Sequence, residues 1–304
     1  MSAVRVLEKV THAVPLGLVL RGAANLKKVG DGLDVRAASK ANLARHFALS
    51  PTPSGHWAAH VLPGTGADLA ANPANWQASA KPYRFSVADQ NGRFLPMRFE
   101  APLPKRGSLV WPGWAGVNRP RIAPLLPPGS GASFVPDYMP LFPSVAAGGS
   151  SASARLFAHL ATREAGGAVI RDAAWALMTV SFGTNVVGIG LSDARGAIMA
   201  SFAYPPMPSQ TPAEAVAGRE AVTWPVRVRI YCTGLSAPAD DENSPPDFAA
   251  IIAQLATTPR VAMSTVIGAQ PALGDQTLTL GQPLVLRTRL SGNQFASSLF
   301  LKPA

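Results

Sequence analysis

The amino-acid sequence predicts an all-β protein built from two antiparallel β-sandwich domains. Prolines and glycines are abundant, with 29 and 27 among 304 residues, and they interrupt the chain too often for long helices. Apolar residues make up 47% of the chain and charged residues only 14%, which leaves ample material for packed cores. A third observation is an internal repeat whose spacing matches the length of one sandwich domain.

The repeat consists of two short segments that carry an Asp and a Gly at the same spacing. VADQNGRFL (87–95) aligns without gaps with LSDARGAIM (191–199), which places Asp89 over Asp193 and Gly92 over Gly196. An Asp side chain accepts hydrogen bonds from backbone amides two residues ahead, and Gly adopts the positive φ that closes a hairpin. Both Asp residues are therefore predicted to form turns between strands rather than to bind a ligand.

The repeat divides the chain into two β domains and a connecting segment. We expect a first sandwich over residues 1–110 and a second over 154–304, joined by residues 111–153, which are rich in Pro and Gly and are called the strap below. The strap aromatics could pack on the domains or dock another protein. These aromatic residues are the candidate partner contacts: Trp111, Trp114, Phe134, Tyr138 and Phe142.

One short helix is predicted near residues 245–257, where it would cover an edge or end of the second sandwich. Ser244 suits the N-cap, Pro245 the first helical position, and Asp247 completes a capping box. Its apolar stripe consists of Phe248, Ile251, Ile252 and Leu255. The later segments QTLTL, PLVLRTRL and SSLFLKP are predicted strands.

The net charge of +10 is spread along the chain rather than clustered. The longest basic runs are the pairs Lys27-Lys28 and Lys105-Arg106, and no aromatic-flanked basic motif could stack bases, so we expect no nucleic-acid partner. The excess positive charge has two interpretations. It lies either on solvated strand faces or on a surface that meets an acidic neighbour.

Cysteine content and hydropathy bear on the compartment of the chain. Cys232 is the only cysteine, so no intrachain disulfide can form. We therefore expect synthesis and folding in the cytoplasm. Later release as part of a particle is an open alternative. The apolar run 14–20 is broken by Pro15 and Gly17, and no signal peptide is recognisable. We therefore expect no membrane insertion.

No motif in the chain predicts catalysis or metal binding. HWAAH (56–60) has two histidines four residues apart, but it follows a turn-like PTPSG and is predicted to be a strand, on which the two rings lie about 13 Å apart. Nucleophile elbows, phosphate-binding loops and dinucleotide fingerprints are missing from the sequence. We assign no catalytic, cofactor-binding or metal-binding residue, and we expect no cofactor and no small-molecule substrate.

Residues 154–205 resemble the carboxypeptidase regulatory-like, or transthyretin-like, β-sandwich modules. Residues 174–180 match the middle strand of that family and 190–198 its closing hairpin, with Ser192 in place of Thr and Ile198 in place of an aromatic residue. Segments 32–37, 53–64 and 82–96 resemble a more divergent second copy. The resemblance covers about half of the chain and implies prealbumin-like sandwiches that are usually noncatalytic. Hydrolases of this group end in Tyr-Arg-Gly-Ser, whereas this chain ends in SLFLKPA.

The order of a prealbumin-like module, a Pro-rich strap and a second module is similar to accessory proteins of phage-tail-like contractile injection systems. The expected function is that of a noncatalytic structural or adaptor component, which binds other protein subunits through exposed strand edges and the strap. Two alternatives stay open. A carbohydrate- or cell-surface-binding module would use Trp57, Trp76 or Trp114 as stacking platforms, and an enzyme would use His56, His60 or Asp193.

Overall fold

A computed structural model describes most of the chain as β-sheet connected by turns. The described residues are 15–59, 62–63, 76, 80–105, 107–110, 123–126, 135–148, 152–163, 170–206, 221–238, 244–266 and 271–302. Within them, every helix is too short or too polar to cross a membrane.

The first half of the chain forms two four-stranded sheets. Its strands are β1 (Gly17–Gly22), β2 (Leu33–Ser39), β3 (Asn42–Ala48), β4 (Ser50–Pro51), β5 (His56–Ala58), β6 (Lys81–Asp89), β7 (Met97–Leu103) and β8 (Met139–Leu141). One sheet has the order β4-β5-β1-β8 and the other β3-β2-β6-β7. Neighbouring strands are antiparallel except β1 and β8, which pair in parallel.

Both sheets contribute side chains to one apolar core, here called the first core. The alternation of residue types along β6 explains its inner face, since Tyr83 and Phe85 are buried whereas Arg84 and Ser86 are directed outwards. Phe85 stacks on Phe99 of β7 with ring centres 4.8 Å apart. Offset stacking of this kind adds to the stabilisation that comes from burying the rings.

The second half is dominated by a nine-stranded sheet. Its strands are β9 (Ser153–Arg163), β10 (Ile170–Asp172), β11 (Leu177–Phe182), β12 (Asn185–Ser192), β13 (Ala197–Ala203), β14 (Thr223–Tyr231), β15 (Gln276–Thr279), β16 (Leu284–Leu286) and β19 (Leu299–Leu301). The order is β10-β9-β13-β12-β11-β14-β15, and β16 and β19 add to β9 in parallel. A separate hairpin joins β17 (Arg289–Ser291) to β18 (Gln294–Phe295). The predicted strand PLVLRTRL is thus divided between β16 and β17.

This sheet curls around a second core. Strand β15 at one end of the path contacts β16, which pairs with β9 near the other end. Inward-facing residues include Leu156, Val180 and Trp224, which belong to three different strands of the sheet. Phe202 packs its ring against Gly188, a position at which any Cβ atom would collide with the ring. The second half therefore encloses its core with one continuous sheet.

The predicted helix is present but shorter and later than expected. Helix α1 spans Phe248–Ala253 and continues as a 3₁₀ turn over Gln254–Ala256. Its N-cap is Asp247, whose carboxylate accepts a hydrogen bond from the Ala249 amide at 2.8 Å, so the prediction of Ser244 as N-cap was wrong. The reason is the Pro245-Pro246 pair, because a residue that precedes a proline is disfavoured in the α region.

Helix α1 packs on the first core rather than on an end of the second sheet alone. Phe248, Ile251 and Ile252 are buried there, in the same core as Leu177 of β11 and Leu191 of β12. The helix was expected to cover an edge or end of the second sandwich, whereas its buried residues belong to the first core. Side chains from both halves of the chain complete one core.

The structure confirms an all-β fold with antiparallel sheets and, within the described residues, a single short α-helix. Two sandwich domains with boundaries at 110 and 153 stay a prediction. The first core contains residues from both sides of these boundaries. In addition, the second half is one curled sheet rather than two separate facing sheets.

Candidate functional site

Two of the five strap aromatics lie inside the first core. Tyr138 and Phe142 flank β8 and are only 1% and 3% exposed. The Arg21 guanidinium carbon lies 5.2 Å from the centre of the Tyr138 ring, and burial raises the pKa of the Tyr138 hydroxyl to about 12. Neither ring can meet a partner protein while β8 stays paired with β1.

The other strap aromatics, Trp111, Trp114 and Phe134, lie outside the described residues, and their predicted role as partner contacts stays a prediction. The described 3₁₀ turn of the strap, Ala123–Leu125, contacts β12. Its Leu125 has no exposed surface and belongs to the first core. These parts of the strap therefore pack within the chain.

The predicted carbohydrate platforms are also buried where the structure describes them. Trp57 and Trp76 are each 3% exposed, and the Trp57 indole nitrogen donates to the Val29 carbonyl at 3.1 Å. Stacking of a sugar needs an exposed ring face, which neither tryptophan offers. Trp114 is outside the described residues.

The first three residues of HWAAH form strand β5 (His56–Ala58), as predicted. The His56 Nδ1 atom lies 2.9 Å from the Ser54 hydroxyl, so the ring takes part in a turn contact. His60 falls outside the described residues. In the portions of the chain with described positions, His, Cys, Asp and Glu form no group of three or more that could hold a metal ion.

Asp193 makes the turn that its sequence predicted. Its Oδ1 atom accepts hydrogen bonds from the Arg195 amide at 2.8 Å and the Ala197 amide at 2.9 Å. Gly196 has a φ of +80° and closes the hairpin between β12 and β13. The carboxylate of Asp193 thus fixes backbone geometry.

Asp89 makes the equivalent turn between β6 and β7. It accepts hydrogen bonds from the amides of Asn91 and Arg93, at the same offsets as in the second turn, and Gly92 has a φ of +65°. Burial opposes ionisation of this carboxyl, but hydrogen bonds from the side chain and backbone of Arg93 outweigh it and lower the pKa of Asp89. The repeat is therefore a repeat of turn chemistry.

Strand β3 is the feature of the described structure best suited to meet a partner. It lies at the end of the sheet β3-β2-β6-β7 and pairs only with β2 among the described strands. None of its seven residues is buried. At the opposite end of this sheet, β7 contacts α1, and Arg98 forms a parallel bridge with Asp247. We call the side of β3 that pairs with no described strand the open edge.

Contacts of β3 and of the turn before it with β6 fix the strand in this position. Lys40 sits in the tight turn from β2, where its amide donates to the Pro82 carbonyl at 3.0 Å. Phe47 anchors the strand, since its ring meets Tyr83 edge-on at a centre distance of 6.0 Å. After Ala48 the chain turns inwards at Leu49, which is buried, and then enters β4 of the other sheet.

Backbone groups of β3 point towards the open edge. The Leu49 amide donates to the Val35 carbonyl of β2 at 2.9 Å, which fixes the phase of hydrogen bonding at the end of the strand. Successive residues of a strand direct their N–H and C=O groups to opposite sides. His46 and Ala48, which lie opposite Ala38 and Arg36, therefore present these groups to the open side. Unpaired strand groups of this kind are a template for another strand.

The solvent side of this sheet, here called the outer face, is predominantly cationic. Strand register places most of its side chains in two rows, Ala48–Arg36–Ser86–Arg98 and His46–Ala38–Arg84–Glu100, and Asp34 lies opposite Ala88 in a third. The nearby carboxylates are already engaged with cations. Asp34 lies 2.7 Å from Arg36, and Glu100 lies 2.8 Å from Lys40 and 3.6 Å from Arg84.

An open cleft of about 270 Å³ lies at the far side of the outer face, next to the segment that leads into α1. Arg36 and Arg98 line it together with Asp34, Ser86 and Ser244. Two guanidinium groups and one carboxylate leave the lining with a net positive charge, which favours an acidic side chain over a basic one at this position. Both the cleft and the open edge therefore favour an acidic partner.

Sequence reasoning did not identify β3 as an interface. NLARHFA lacks strict alternation, and its position at the end of a sheet depends on pairing with distant residues. Arg45 and His46 were a usable signal, because consecutive basic residues on a strand place polar side chains on both of its faces, which is typical of edges.

Comparison of the chain with known protein families, with curated proteins and with solved structures found no match.

Proposed function

We propose that this protein is a noncatalytic structural or adaptor component of a large protein assembly, of the kind found in phage-tail-like contractile injection particles. The observation that carries the proposal is the open edge of β3, a seven-residue strand with no buried residue at the end of a well-packed sheet. Strands in such positions bind neighbours by extending the sheet.

The packing behind β3 supports this proposal. Phe47 and Leu49 hold the strand against the first core, so its outward backbone groups are fixed before any partner arrives. Preorganised contacts cost less conformational entropy on binding than a flexible loop would. The cationic outer face adds selectivity for an acidic neighbour.

A photo-crosslinking experiment in the native cells tests the proposal. A benzoylphenylalanine at Ala48 should give crosslinks to another subunit, and the chain should sediment with a complex much larger than its own 31.6 kDa. The control position is Arg229, which is exposed on β14 in the other half of the chain and should give few crosslinks. A chain that sediments alone and gives no crosslink from either position would refute the proposed function.

A further inference from the structure

We infer that the occupant of the open edge is an extended acidic segment of another protein, which adds to the sheet as a fifth strand beside β3. The inference rests on the proposed function and names the partner chemistry of its site. It is carried by two independent observations, the direction of the backbone groups of β3 and the charge of the side chains around them.

The backbone observation defines where the added strand pairs. His46 and Ala48 direct their N–H and C=O groups away from β2, as the hydrogen bond between Leu49 and Val35 requires. An incoming strand can bond to both residues without disturbing any bond inside the sheet. The pairing needs no particular side chain on the partner, so side-chain charge is left to select among partners.

The charge observation selects an acidic strand. Arg45 and His46 are exposed on β3 itself, and Lys40 and Arg36 lie beside it. Asp34 and Glu100 are paired with Arg36 and with Lys40, respectively, so they do not offset Arg45. Arg45 and His46 direct their side chains to opposite faces of β3, so carboxylates on either face of a partner strand would lie beside a basic residue of β3.

The same charges disfavour a second copy of this chain. In an antiparallel pairing of two β3 strands about a two-fold axis, the central residue Arg45 would lie opposite its own counterpart. Moving the centre of the pairing to Leu43 would instead place Lys40 opposite His46 of the other copy. Like charges opposite each other on neighbouring strands are unfavourable.

The test uses the full-length ¹⁵N-labelled protein and two capped peptides, TEVEVEVT and TKVKVKVT, which differ only in charge. The acidic peptide should bind at least about tenfold more tightly than the basic one, in keeping with charge-based selectivity. It should also shift and protect the amides of His46 and Ala48. Equal binding of the two peptides, or no binding of either, would overturn the inference, since the basic residues would then serve only to keep strands away.

Two variants and a control sharpen the result. Ala48→Pro removes one outward N–H and should abolish acidic-peptide binding with the thermal transition retained. Arg45→Glu combined with His46→Glu should reverse the preference to the basic peptide, which tests charge even where the proline variant does not fold. Arg229→Glu changes a distant exposed residue and should leave the preference unchanged.

The outcomes separate this inference from the proposed function. Self-association of the protein that Ala48→Pro abolishes would identify a second copy as the occupant and overturn the acidic partner. If the chain sediments within a large complex in cells and Ala48→Pro sediments with it unchanged, the function stands and the edge inference fails. If the chain sediments alone in cells, both the proposed function and the inference are refuted.

Discussion

Gly92 and Gly196 occupy equivalent turns but have different neighbours. Both adopt positive φ, at +65° and +80°. A Cβ atom at Gly92 would meet nothing within 4 Å, whereas one at Gly196 would overlap the carbonyl oxygen of Leu160. The first turn needs Gly only for its backbone conformation, and the second also needs it for close approach of β9.

Substitution of the two glycines by alanine should separate these effects. Gly92→Ala should cost about 1 to 2 kcal/mol for the left-handed backbone alone. Gly196→Ala should cost about 1 to 3 kcal/mol more, because the Leu160 carbonyl belongs to the backbone and cannot rotate away. Urea denaturation of both variants measures this difference. Equal losses in the free energy of unfolding would show that β9 can move away from residue 196 at no energetic cost.

Asp89 links stability to pH at the residue scale. Its side chain has no exposed surface and lies 3.0 Å from the Arg93 guanidinium. The pKa of Asp89 is lowered in the folded state, so its stabilisation is complete above the ordinary value of 3.8. It is lost as the pH falls from there through the folded pKa, since the unfolded chain takes up the proton first.

Asp89→Asn should therefore destabilise the protein by about 1 to 3 kcal/mol at neutral pH. The difference in the free energy of unfolding between variant and wild type should stay constant above about pH 5. It should narrow below pH 3.8. Asp31→Asn is the control, because Asp31 also approaches Arg93, at 3.8 Å, but is 86% exposed. Denaturation at a series of pH values checks the trend, which a constant gap down to pH 2 would contradict.

Helix α1 shows how an element can be recognised without its environment. Its apolar stripe is local in sequence, and Phe248, Ile251 and Ile252 are buried as expected. It contacts β7 and shares the first core with residues of β11 and β12, and none of these strands is close to it in sequence. The helix is too short to be stable alone, so it depends on this packing.

Charge placed on the two sides of α1 should have opposite consequences. Ile252→Asp should cost about 3 to 5 kcal/mol, because it removes buried apolar contacts and places a carboxyl among Phe248 and its neighbours. Ala253→Asp lies one residue further on the exposed side and should change stability by less than about 0.5 kcal/mol. Thermal melting compares them. A harmless Ile252→Asp would mean that the helix does not pack on the first core in solution.

On the scale of the whole molecule, the two halves share a core. Leu177, Ile189 and Leu191 belong to strands of the nine-stranded sheet, yet their side chains lie in the first core beside α1. The sheet is therefore buried on both faces at β11 and β12. Cores shared in this way couple the unfolding of the elements that contribute to them.

Leu191→Ala should therefore weaken both halves of the chain. We expect a loss of about 2 to 5 kcal/mol. Amide hydrogen exchange should become faster in β6 as well as in β12, although β6 contains no substituted residue. The matched control is Leu278→Ala, which is buried in the second core, and comparison of the two maps the coupling. Unchanged protection of β6 in Leu191→Ala would show that the halves unfold independently.

The sequence by itself determined features whose cause is local. The turns at Asp89 and Asp193 follow from hydrogen bonds that span two to four residues, and the inner face of β6 follows from alternation along the chain. The position of a short helix was also predictable, although the effect of Pro245-Pro246 on its first residue was misjudged.

Only the tertiary structure decided which of these elements face solvent and which face each other. Tyr138 and Phe142 are aromatic residues of the kind found at contacts but are buried because β8 pairs with β1, and Trp57 is buried because β5 pairs with β1 on the other side. The open edge of β3 exists because β2 pairs with β6 on its other side. Strand pairing joins residues that are far apart in sequence, and its outcome depends on the free energy of the whole chain rather than on any local pattern.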